Sequence, residues 1–366
     1  MELNRVVKLR AAMEERGVDV ALISPGPNLR YLAGFDIDPH ERTFLMVISE
    51  RGLAFVAPKL EEEKVLDRTA ETGAQVFAYK DEEGPDRALK GAIDSAEAVK
   101  PGSKMVIGAE YLHMRVKEFE MVRSVVGEFE AYDADGLMMA LRVIKDEQEI
   151  QMLRKAACIV DVGIEAARRA IMPGVTERRV AEAIERSMME AGADSVPFNS
   201  VLSGPKAALP HGETGDRMIE EGEFVLCDIG ACYMGYNGDI TRTIAVGRPS
   251  GEMLALYDAV AEANEAGRMA ARPGITSEEL DCVCRDVISR RGFADLFIHR
   301  TGHGLGVEIH EEPYIVKGSK TTLLPGMAFT IEPGAYRPGV GGVRIEDDVI
   351  ITPLGAEVLT KSHRRP

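Results

Sequence analysis

An internal duplication in the C-terminal half constrains the fold more than any other feature of this sequence. The segment AIMPGVTERRVAEAIERSMMEAG, which begins at Ala170, is followed 100 residues later by AARPGITSEELDCVCRDVISRRG. In each copy a Pro-Gly pair is suited to end one helix, and the threonine that follows is suited to cap the next helix. Repeated segments of this length fold into repeated structural units, so the sequence predicts two similar halves in this region.

Each copy continues into a mostly apolar stretch that contains an acidic residue. GEFVLCDIG, which includes Asp228, corresponds to GMAFTIEPG, which includes Glu332, at an offset of 104 residues. A second acidic strand follows each of these stretches, around Asp239 and around Glu346. We expect each half to contain two helices and a hairpin with two acids. Packing about a pseudo-twofold axis would then bring four carboxylates together.

These acidic residues need compensating charge, because desolvation of a carboxylate in an apolar strand is costly. Salt bridges to Arg242 or Arg344 are the simpler alternative. Four acids at related positions, together with a glycine-flanked histidine in RTGHGLGVEIHEEP, favour cations instead. Oxygen-rich ligation with one imidazole suits Mn(II), Co(II), Fe(II) or Zn(II), and two such ions would hold a bridging hydroxide for hydrolysis. The predicted ligands are Asp228, Asp239, His303, Glu332 and Glu346.

Other polar residues are predicted to support this cluster. Strand alternation places Thr241 and Arg344 on the same faces as the acidic residues two positions away, where they can bind a ligand carboxylate or a substrate group. His211 and His310 lie 99 residues apart, close to the offset of the duplication. We therefore expect them to face each other across a cleft and to donate hydrogen bonds to a tetrahedral intermediate. For His299 we expect no special role.

The N-terminal half has a different character. It alternates short strand-like stretches with amphipathic helices, a pattern typical of an α/β domain. The tripeptide ERG at 50–52 is expected to join two strands as a tight hairpin, which makes the sheet mixed. The sequence of this half contains no phosphate loop and no cluster of metal ligands, so we interpret it as a supporting domain. We place the two domains at 1–138 and 139–366.

Charge and composition exclude several classes of partner. The chain carries 60 acidic and 44 basic side chains, for a formal net charge of −16. This balance argues against nucleic acid or an anionic membrane as the partner. The sequence contains no apolar run of the ~20 residues that a membrane-spanning helix requires. The five cysteines include no zinc-type CxxC pair and are typical of reduced thiols, so we predict a cytoplasmic protein.

Around the acidic residues the chain resembles the creatinase/methionine-aminopeptidase superfamily, whose catalytic domain is known as the pita-bread fold. The stretches DIGACYMGYNGDITRT, TGHGLGVEIHEEP, FTIEPGAY and GVRIEDDV are most similar to its Xaa-Pro dipeptidase (prolidase) and aminopeptidase P branch. PNLRYLAGF at 27–35 is similar to the creatinase-type N-terminal domain. The implied fold is a two-domain α/β protein, with a mixed-sheet N-terminal domain and a duplicated pita-bread catalytic domain.

The resemblance implies hydrolysis of the bond that precedes proline at the N-terminus of dipeptides or short peptides. It implies that Asp239 and Glu346 bridge two metal ions, with Mn or Co as the usual metals and Zn or Fe as alternatives. Glu332 would carry a proton from the bridging water to the leaving nitrogen, and His211 and His310 would flank the scissile bond. It also implies homodimers in which the N-terminal domain can shape the partner's active site.

One residue departs from the pattern of this branch. Many prolidases carry arginine directly after the proline of the HExP motif, where it can hold the carboxylate of a dipeptide. This chain has Tyr314 at that position. Longer peptides that begin with Xaa-Pro therefore compete with dipeptides as the expected substrate.

Four alternatives remain at the level of the sequence. Creatinase-like or lyase enzymes and non-catalytic peptide-binding modules of this fold have lost the metal ligands, whereas all five are present here. Methionine aminopeptidases keep the ligands, but they typically lack this N-terminal domain and differ from the TRT at 241–243. A protein held together by symmetric salt bridges alone would purify without metal.

Overall fold

The computed structural model describes residues 2–96, 104–210 and 212–366. Contacts between Cα atoms divide the chain into two compact units, Met1–Arg142 and Val143–Pro366. The domain limits of 1–138 and 139–366 stay a prediction. None of the helices in the described ranges is long and apolar enough to cross a membrane.

The first unit contains one mixed sheet and six α-helices among its described residues. The strands are β1 (Val20–Ile23), β2 (Leu45–Ser49), β3 (Leu53–Pro58), β4 (Gln75–Tyr79), β5 (Val106–Ala109) and β6 (Glu130–Asp133). The helices are α1 (Leu3–Arg16), α2 (Pro27–Ala33), α3 (Glu62–Thr69), α4 (Asp86–Ser95), α5 (Val116–Val126) and α6 (Asp135–Arg142). The strand order is β4-β3-β2-β1-β5-β6. β1, β2 and β3 pair antiparallel and the other neighbours pair parallel, so the sheet is mixed as predicted.

Two local features explain how this sheet forms. All residues of β1 and β2 are buried, as expected for strands covered on both faces. The predicted hairpin at 50–52 is closed by the Gly52 amide, which donates to Ser49 Oγ at 2.8 Å, and by the Ser49 amide, which donates to the Gly52 carbonyl at 3.1 Å.

A buried carboxylate lies directly after β5. Glu110 accepts hydrogen bonds from the Ser24 amide and from Asn28 Nδ2, the latter at 2.7 Å. Arg142 Nη1 donates to Asn28 Oδ1 at 2.7 Å, which extends the network to the end of α6. Burial raises the pKa of Glu110 to about 7. The folded unit therefore holds this proton more tightly than the unfolded chain does.

We expect this residue to make the free energy of unfolding pH-dependent. Between the usual pKa of 4.5 and the folded value of about 7, the folded state binds more protons, so stability falls as pH rises, by roughly 3 kcal/mol over this interval. The side chain of Glu110→Gln cannot ionise, so this variant should lack this part of the pH dependence of the free energy of unfolding. Urea denaturation at several pH values between 4.5 and 8 measures it, with the exposed Glu120→Gln as the control. Equal slopes in wild type and Glu110→Gln would contradict the prediction.

The second unit contains four α-helices and ten strands in the part of the chain that the structure describes. The helices are α7 (Glu147–Ala170), α8 (Glu177–Glu190), α9 (Gly251–Ala270) and α10 (Ser277–Arg290). The strands are β7 (Ser195–Ser203), β8 (Phe224–Tyr233), β9 (Tyr236–Ala245), β10 (Gly302–Gly304), β11 (Glu311–Ile315), β12 (Ala328–Ile331), β13 (Gly334–Arg337), β14 (Gly341–Arg344), β15 (Asp347–Thr352) and β16 (Gly355–Val358). They form three sheets, in the orders β7-β8-β9, β11-β10-β12-β15-β16 and β13-β14.

The duplicated segments fold alike. α7 and α8 in the first half correspond to α9 and α10 in the second. Gly174 and Gly274 have left-handed φ angles of 86° and 87°, which few residues other than glycine adopt. The side chains of Thr176 and Thr276 cap α8 and α10 by accepting backbone N–H groups three residues later, at 3.3 and 3.2 Å. These features confirm the predicted duplication.

The two halves differ in the strands that carry the acidic residues. β8 and β9 form a hairpin with Asp228 and Asp239, as expected. In the second half Glu332 follows β12 and Glu346 precedes β15, with the β13–β14 hairpin between them. The expected antiparallel pairing is nevertheless present, because β12 pairs with β15 in the register Ile331↔Asp347 and β13 pairs with β14 in the register Gly334↔Arg344. The second half therefore also forms a hairpin with two acids, but its ladder is interrupted at Glu332 and Glu346. Pro333 explains the difference, because it has no N–H to continue the ladder beyond β12.

Candidate metal centre and active site

Four carboxylates and one imidazole converge on a cavity of about 740 Å³ in the second unit. The predicted ligands that line it are Asp228, Asp239, His303, Glu332 and Glu346. One ligand atom from each of Asp239, His303 and Glu346 lies within 4.8 Å of the others. His303 Nε2 lies 3.8 Å from Asp239 Oδ2 and 3.5 Å from Glu332 Oε1. The fold thus brings together side chains that are more than 100 residues apart in the sequence.

Register explains how the first hairpin presents its two acids. Asp228 on β8 is paired with Thr241 on β9, and Asp239 lies two residues before Thr241. Paired residues and residues two apart share a face of the sheet, so all three side chains point the same way.

Close backbone packing explains how His303 reaches the site. A Cβ atom at Gly302 would lie 1.9 Å from the Thr330 carbonyl oxygen, and one at Gly304 would lie 2.1 Å from the Glu312 carbonyl oxygen. Only glycine fits at these two positions, so the glycines on both sides of His303 are required by the approach of neighbouring strands.

Thr241 and Arg344 contact the acidic residues, as strand alternation predicts. The Thr241 hydroxyl lies 2.6 Å from Glu346 Oε2 and 3.1 Å from Asp228 Oδ1. Arg344 donates from Nη2 to Asp228 Oδ2 at 2.5 Å and from Nε to Thr241 Oγ1 at 3.0 Å. These bonds fix the orientation of two carboxylates that come from different halves of the duplication.

The electrostatics of the cluster are unfavourable by themselves. Burial, followed by repulsion from Glu346 and Asp228, raises the pKa of Asp239 well above its usual range. Burial, followed by repulsion from Glu332 and Asp228, does the same to the pKa of Glu346. Burial raises the pKa of Glu332 to about 7 and lowers the pKa of His303 to about 3. The imidazole is therefore neutral at neutral pH and supplies no compensating charge.

The orientation of His303 fits a bound divalent metal ion. Its Nδ1 lies 3.0 Å from the Gly304 carbonyl oxygen, which can only accept, so Nδ1 carries the hydrogen and Nε2 presents a lone pair. That lone pair faces carboxylate oxygens of Asp239 and Glu332, an arrangement that is repulsive without a cation. Asp239 Oδ1 is also buried without a hydrogen-bond partner among the described residues. Proteins orient metal-binding histidines in this way.

Salt bridges account for only part of the buried charge. Arg344 pairs with Asp228, as the simpler alternative expects. Arg242 pairs instead with Asp347, at 2.8 Å, and it does not pair with Asp228. Asp239 Oδ1 has no donor in the described ranges, so a cation explains the cluster better than symmetric salt bridges do.

The remaining predicted residues have different outcomes. His310 lines the cavity, and its ring lies 4.2 Å from that of His303, centroid to centroid. His211 lies outside the described residues, although Pro210 and Gly212 on either side of it line the cavity. Tyr314 lies on β11, where its ring is 4.7 Å from the guanidinium carbon of Arg300. The roles assigned to these residues stay predictions.

Sequence reasoning missed residues that also belong to the cavity wall. His299 lines it and shares a 2.9 Å hydrogen bond with the Tyr336 hydroxyl, which accepts from Arg344 Nη1 at 2.7 Å. Arg300 lines it as well. Sequence reasoning also missed Asp348 as a neighbour of a predicted ligand: its Oδ2 accepts the Asp239 amide at 2.9 Å. The spacing of two histidines in HRTGHG was the available signal for His299, whereas nothing in the pattern distinguished Arg300.

Comparisons with known proteins agree with this arrangement. Residues 151–353 match the model of metallopeptidase family M24, and residues 5–144 match the creatinase/prolidase N-terminal domain. The Xaa-Pro dipeptidase of Pyrococcus furiosus is 38% identical over 361 residues, which cover 98% of both chains. These matches confirm the predicted two-domain α/β fold with a creatinase-type N-terminal domain.

Solved structures show the same fold over the whole chain. A prolidase from Thermococcus sibiricus superposes with a TM-score of 0.93 at 37% identity, covering 100% of this chain and 98% of the other. An X-Pro aminopeptidase from Thermotoga maritima superposes with a TM-score of 0.85 at 30% identity, covering 98% of each chain.

Proposed function

Since this chain belongs to metallopeptidase family M24 and is a metallo-exopeptidase, we propose that it hydrolyses the bond before proline in Xaa-Pro dipeptides and in short peptides that begin with Xaa-Pro. The observation that carries this proposal is the convergence of Asp239, His303 and Glu346 within 4.8 Å, with His310 in the same cavity. The relative from Pyrococcus furiosus, named as an Xaa-Pro dipeptidase, supports the choice of substrate.

The family uses divalent metal ions, and the residues of this site fit them. In our proposal the five predicted ligands, Asp228, Asp239, His303, Glu332 and Glu346, would hold two divalent ions, Mn(II) or Co(II). When bound, such ions polarise the substrate carbonyl and lower the pKa of water. Thr241 and Arg344 hold the ligand carboxylates in place through the hydrogen bonds described above.

Two side chains of the cavity have proposed roles in the chemistry. Glu332 accepts a proton from the attacking water and delivers it to the leaving nitrogen of proline, which is general acid–base catalysis. His310 donates a hydrogen bond to the oxygen that gains negative charge in the transition state. His211 is proposed to act from the opposite side of the scissile bond. The proposal also includes a homodimer in the cytoplasm.

The test is hydrolysis by chelator-treated protein that is resupplied with Mn(II), Co(II) or Zn(II). Ala-Pro, Met-Pro, Ala-Pro-Ala and Met-Ala-Ala are the substrates. We expect metal-dependent cleavage of the first three and none of Met-Ala-Ala. Cleavage of Met-Ala-Ala alone would indicate a methionine aminopeptidase. No cleavage with any metal would overturn the proposed function.

Arg300 is our candidate for recognition of the dipeptide carboxylate. Tyr314 stands where many prolidases have arginine, and the Arg300 guanidinium lies over the Tyr314 ring while Arg300 lines the cavity. Arg300 would donate a charge-assisted hydrogen bond to the proline carboxylate of an Xaa-Pro dipeptide. A longer peptide has an amide bond in place of this carboxylate and would not form that bond. Arg300 thus provides a cationic group close to Tyr314, the position at which this chain differs from many prolidases.

Arg300→Met is expected to raise KM for Ala-Pro by about 10- to 100-fold, because one charge-assisted hydrogen bond is lost. KM for Ala-Pro-Ala amide, which has no carboxylate after proline, should change less than about threefold. Arg337→Met is the matched control, since Arg337 pairs with Glu252 at the surface. Equal losses for both substrates would show that Arg300 does not read the carboxylate.

A further inference from the structure

A fully buried ion pair lies beside the histidine-bearing turn of the second unit. Lys145 Nζ lies 2.5 Å from Glu311 Oε1, and the side chain of each residue is only 1% exposed. Lys145 precedes the capped start of α7, and its amide donates to the Gly326 carbonyl at 2.9 Å. Glu311 is the first residue of β11 and directly follows His310. None of the proposed chemical steps uses this pair.

The pair is packed against the turn that carries His310. Residues 305–310 connect β10 to β11 without helix or strand. A Cβ atom at Gly306 would lie 2.4 Å from Glu311 Oε1, so the carboxylate packs directly on the turn backbone. On the other side, the backbone amide and Nδ2 of Asn237 both donate to the Gly306 carbonyl, at 2.9 and 3.0 Å. The turn is thereby held between Asn237 and the ion pair.

Stability alone does not explain such a pair. The free energy needed to transfer two charges from water into the protein interior is about as large as the free energy gained from their attraction. Apolar replacements of similar volume are therefore often neutral or stabilising. What an ion pair adds over apolar packing is a defined geometry. Here that geometry is transmitted to a short turn that ends at His310, whose ring lies 4.2 Å from the ring of His303 on β10.

We infer that Lys145 and Glu311 are positioning residues that hold the 305–310 turn so that His310 reaches the scissile bond. This inference rests on the proposed function, because it takes His310 as the group that stabilises developing charge. A displacement of His310 by about 1 Å would lower kcat by up to roughly 100-fold. Substrate binding depends on the other cavity residues and would change less.

The experiment replaces both charges together. K145M/E311L should unfold at or above the wild-type temperature, whereas kcat for Ala-Pro should fall roughly 10- to 100-fold with a smaller change in KM. His310→Ala should lower kcat when it is made in the wild type, but it should hardly change kcat when it is made in K145M/E311L. The two effects should not add, because loss of the ion pair already removes the contribution of His310. A merely structural role would leave the effect of His310→Ala the same in both backgrounds.

Controls separate this inference from the function itself. R154M/E357L removes a partly exposed ion pair of the same unit, with N···O at 2.7 Å, and should keep wild-type kcat. If the wild type fails to cleave Ala-Pro, the proposed function fails. The inference is then decided by NMR of protein labelled with ¹³C at histidine. The His310 signal, assigned from its absence in His310→Ala, should shift and broaden in K145M/E311L.

Other outcomes overturn the inference. Wild-type kcat in K145M/E311L would do so, as would an unchanged His310 signal in that variant. If K145M/E311L does not fold, Asn237→Ala takes its place, because it removes one of the two hydrogen bonds to the Gly306 carbonyl. We expect Asn237→Ala to lower kcat about 3- to 10-fold and to shift the His310 signal. No change in either measurement would refute the positioning role.

Discussion

Glu332→Gln is expected to lower kcat for Ala-Pro by about 100- to 10,000-fold while the protein stays folded. Glutamine has nearly the shape of glutamate and keeps one acceptor oxygen, but it cannot take a proton from water. Glu332 is suited to this transfer because it lines the cavity and its Oε1 lies 3.5 Å from His303 Nε2. Steady-state kinetics at saturating Mn(II), with the metal content measured alongside, tests the expectation.

The controls for this variant distinguish proton transfer from metal loss. A low kcat in protein that retains wild-type metal content assigns the defect to proton transfer. Glu252→Gln, at a surface ion pair of the same unit, should keep wild-type kinetics. Wild-type kcat in Glu332→Gln would show that the proton is carried by another group.

The duplication explains why much of this site was predictable from the sequence. Pro-Gly-x-Thr recurs at a constant offset because each copy needs a left-handed residue and a helix cap at the same place, as Gly174 and Thr176 show. Once the copies are aligned, Asp228 and Glu332 fall at equivalent positions. Local rules of capping and alternation therefore sufficed to group residues that are far apart in the chain.

The parts that were missed depend on irregular backbone. Pro333 interrupts the ladder between the β12–β15 pair and the β13–β14 pair, and this break in the second hairpin was not predicted from the sequence. Arg300 lies in a segment without regular structure, where no periodicity shows which side chains face the cavity. In the run from Glu346 to Asp348, all three acids are buried, and only the hydrogen bonds reveal their different partners.

The stability of the metal-free protein offers a second large effect. Asp239, Glu332 and Glu346 are brought together in a buried site, and repulsion among them adds to the cost of burial. Glu346→Gln removes one negative charge and keeps an acceptor for the Thr241 hydroxyl, now 2.6 Å from Glu346 Oε2. Relief of repulsion should therefore stabilise the variant when no metal is bound.

We expect metal binding to reverse which of the two proteins, Glu346→Gln or the wild type, has the higher melting temperature. After chelation, Glu346→Gln should melt above the wild type, by roughly 2–6 °C. With saturating Mn(II) it should melt below the wild type, because a ligand of the metal is lost and binding stabilises the folded state less. Calorimetry with and without metal measures both, and Glu357→Gln, in the partly exposed ion pair with Arg154, should show no inversion. If Glu346→Gln instead melts below the wild type in chelator, the hydrogen bond of Glu346 stabilises the metal-free protein. Repulsion among the acidic residues would then not destabilise that protein.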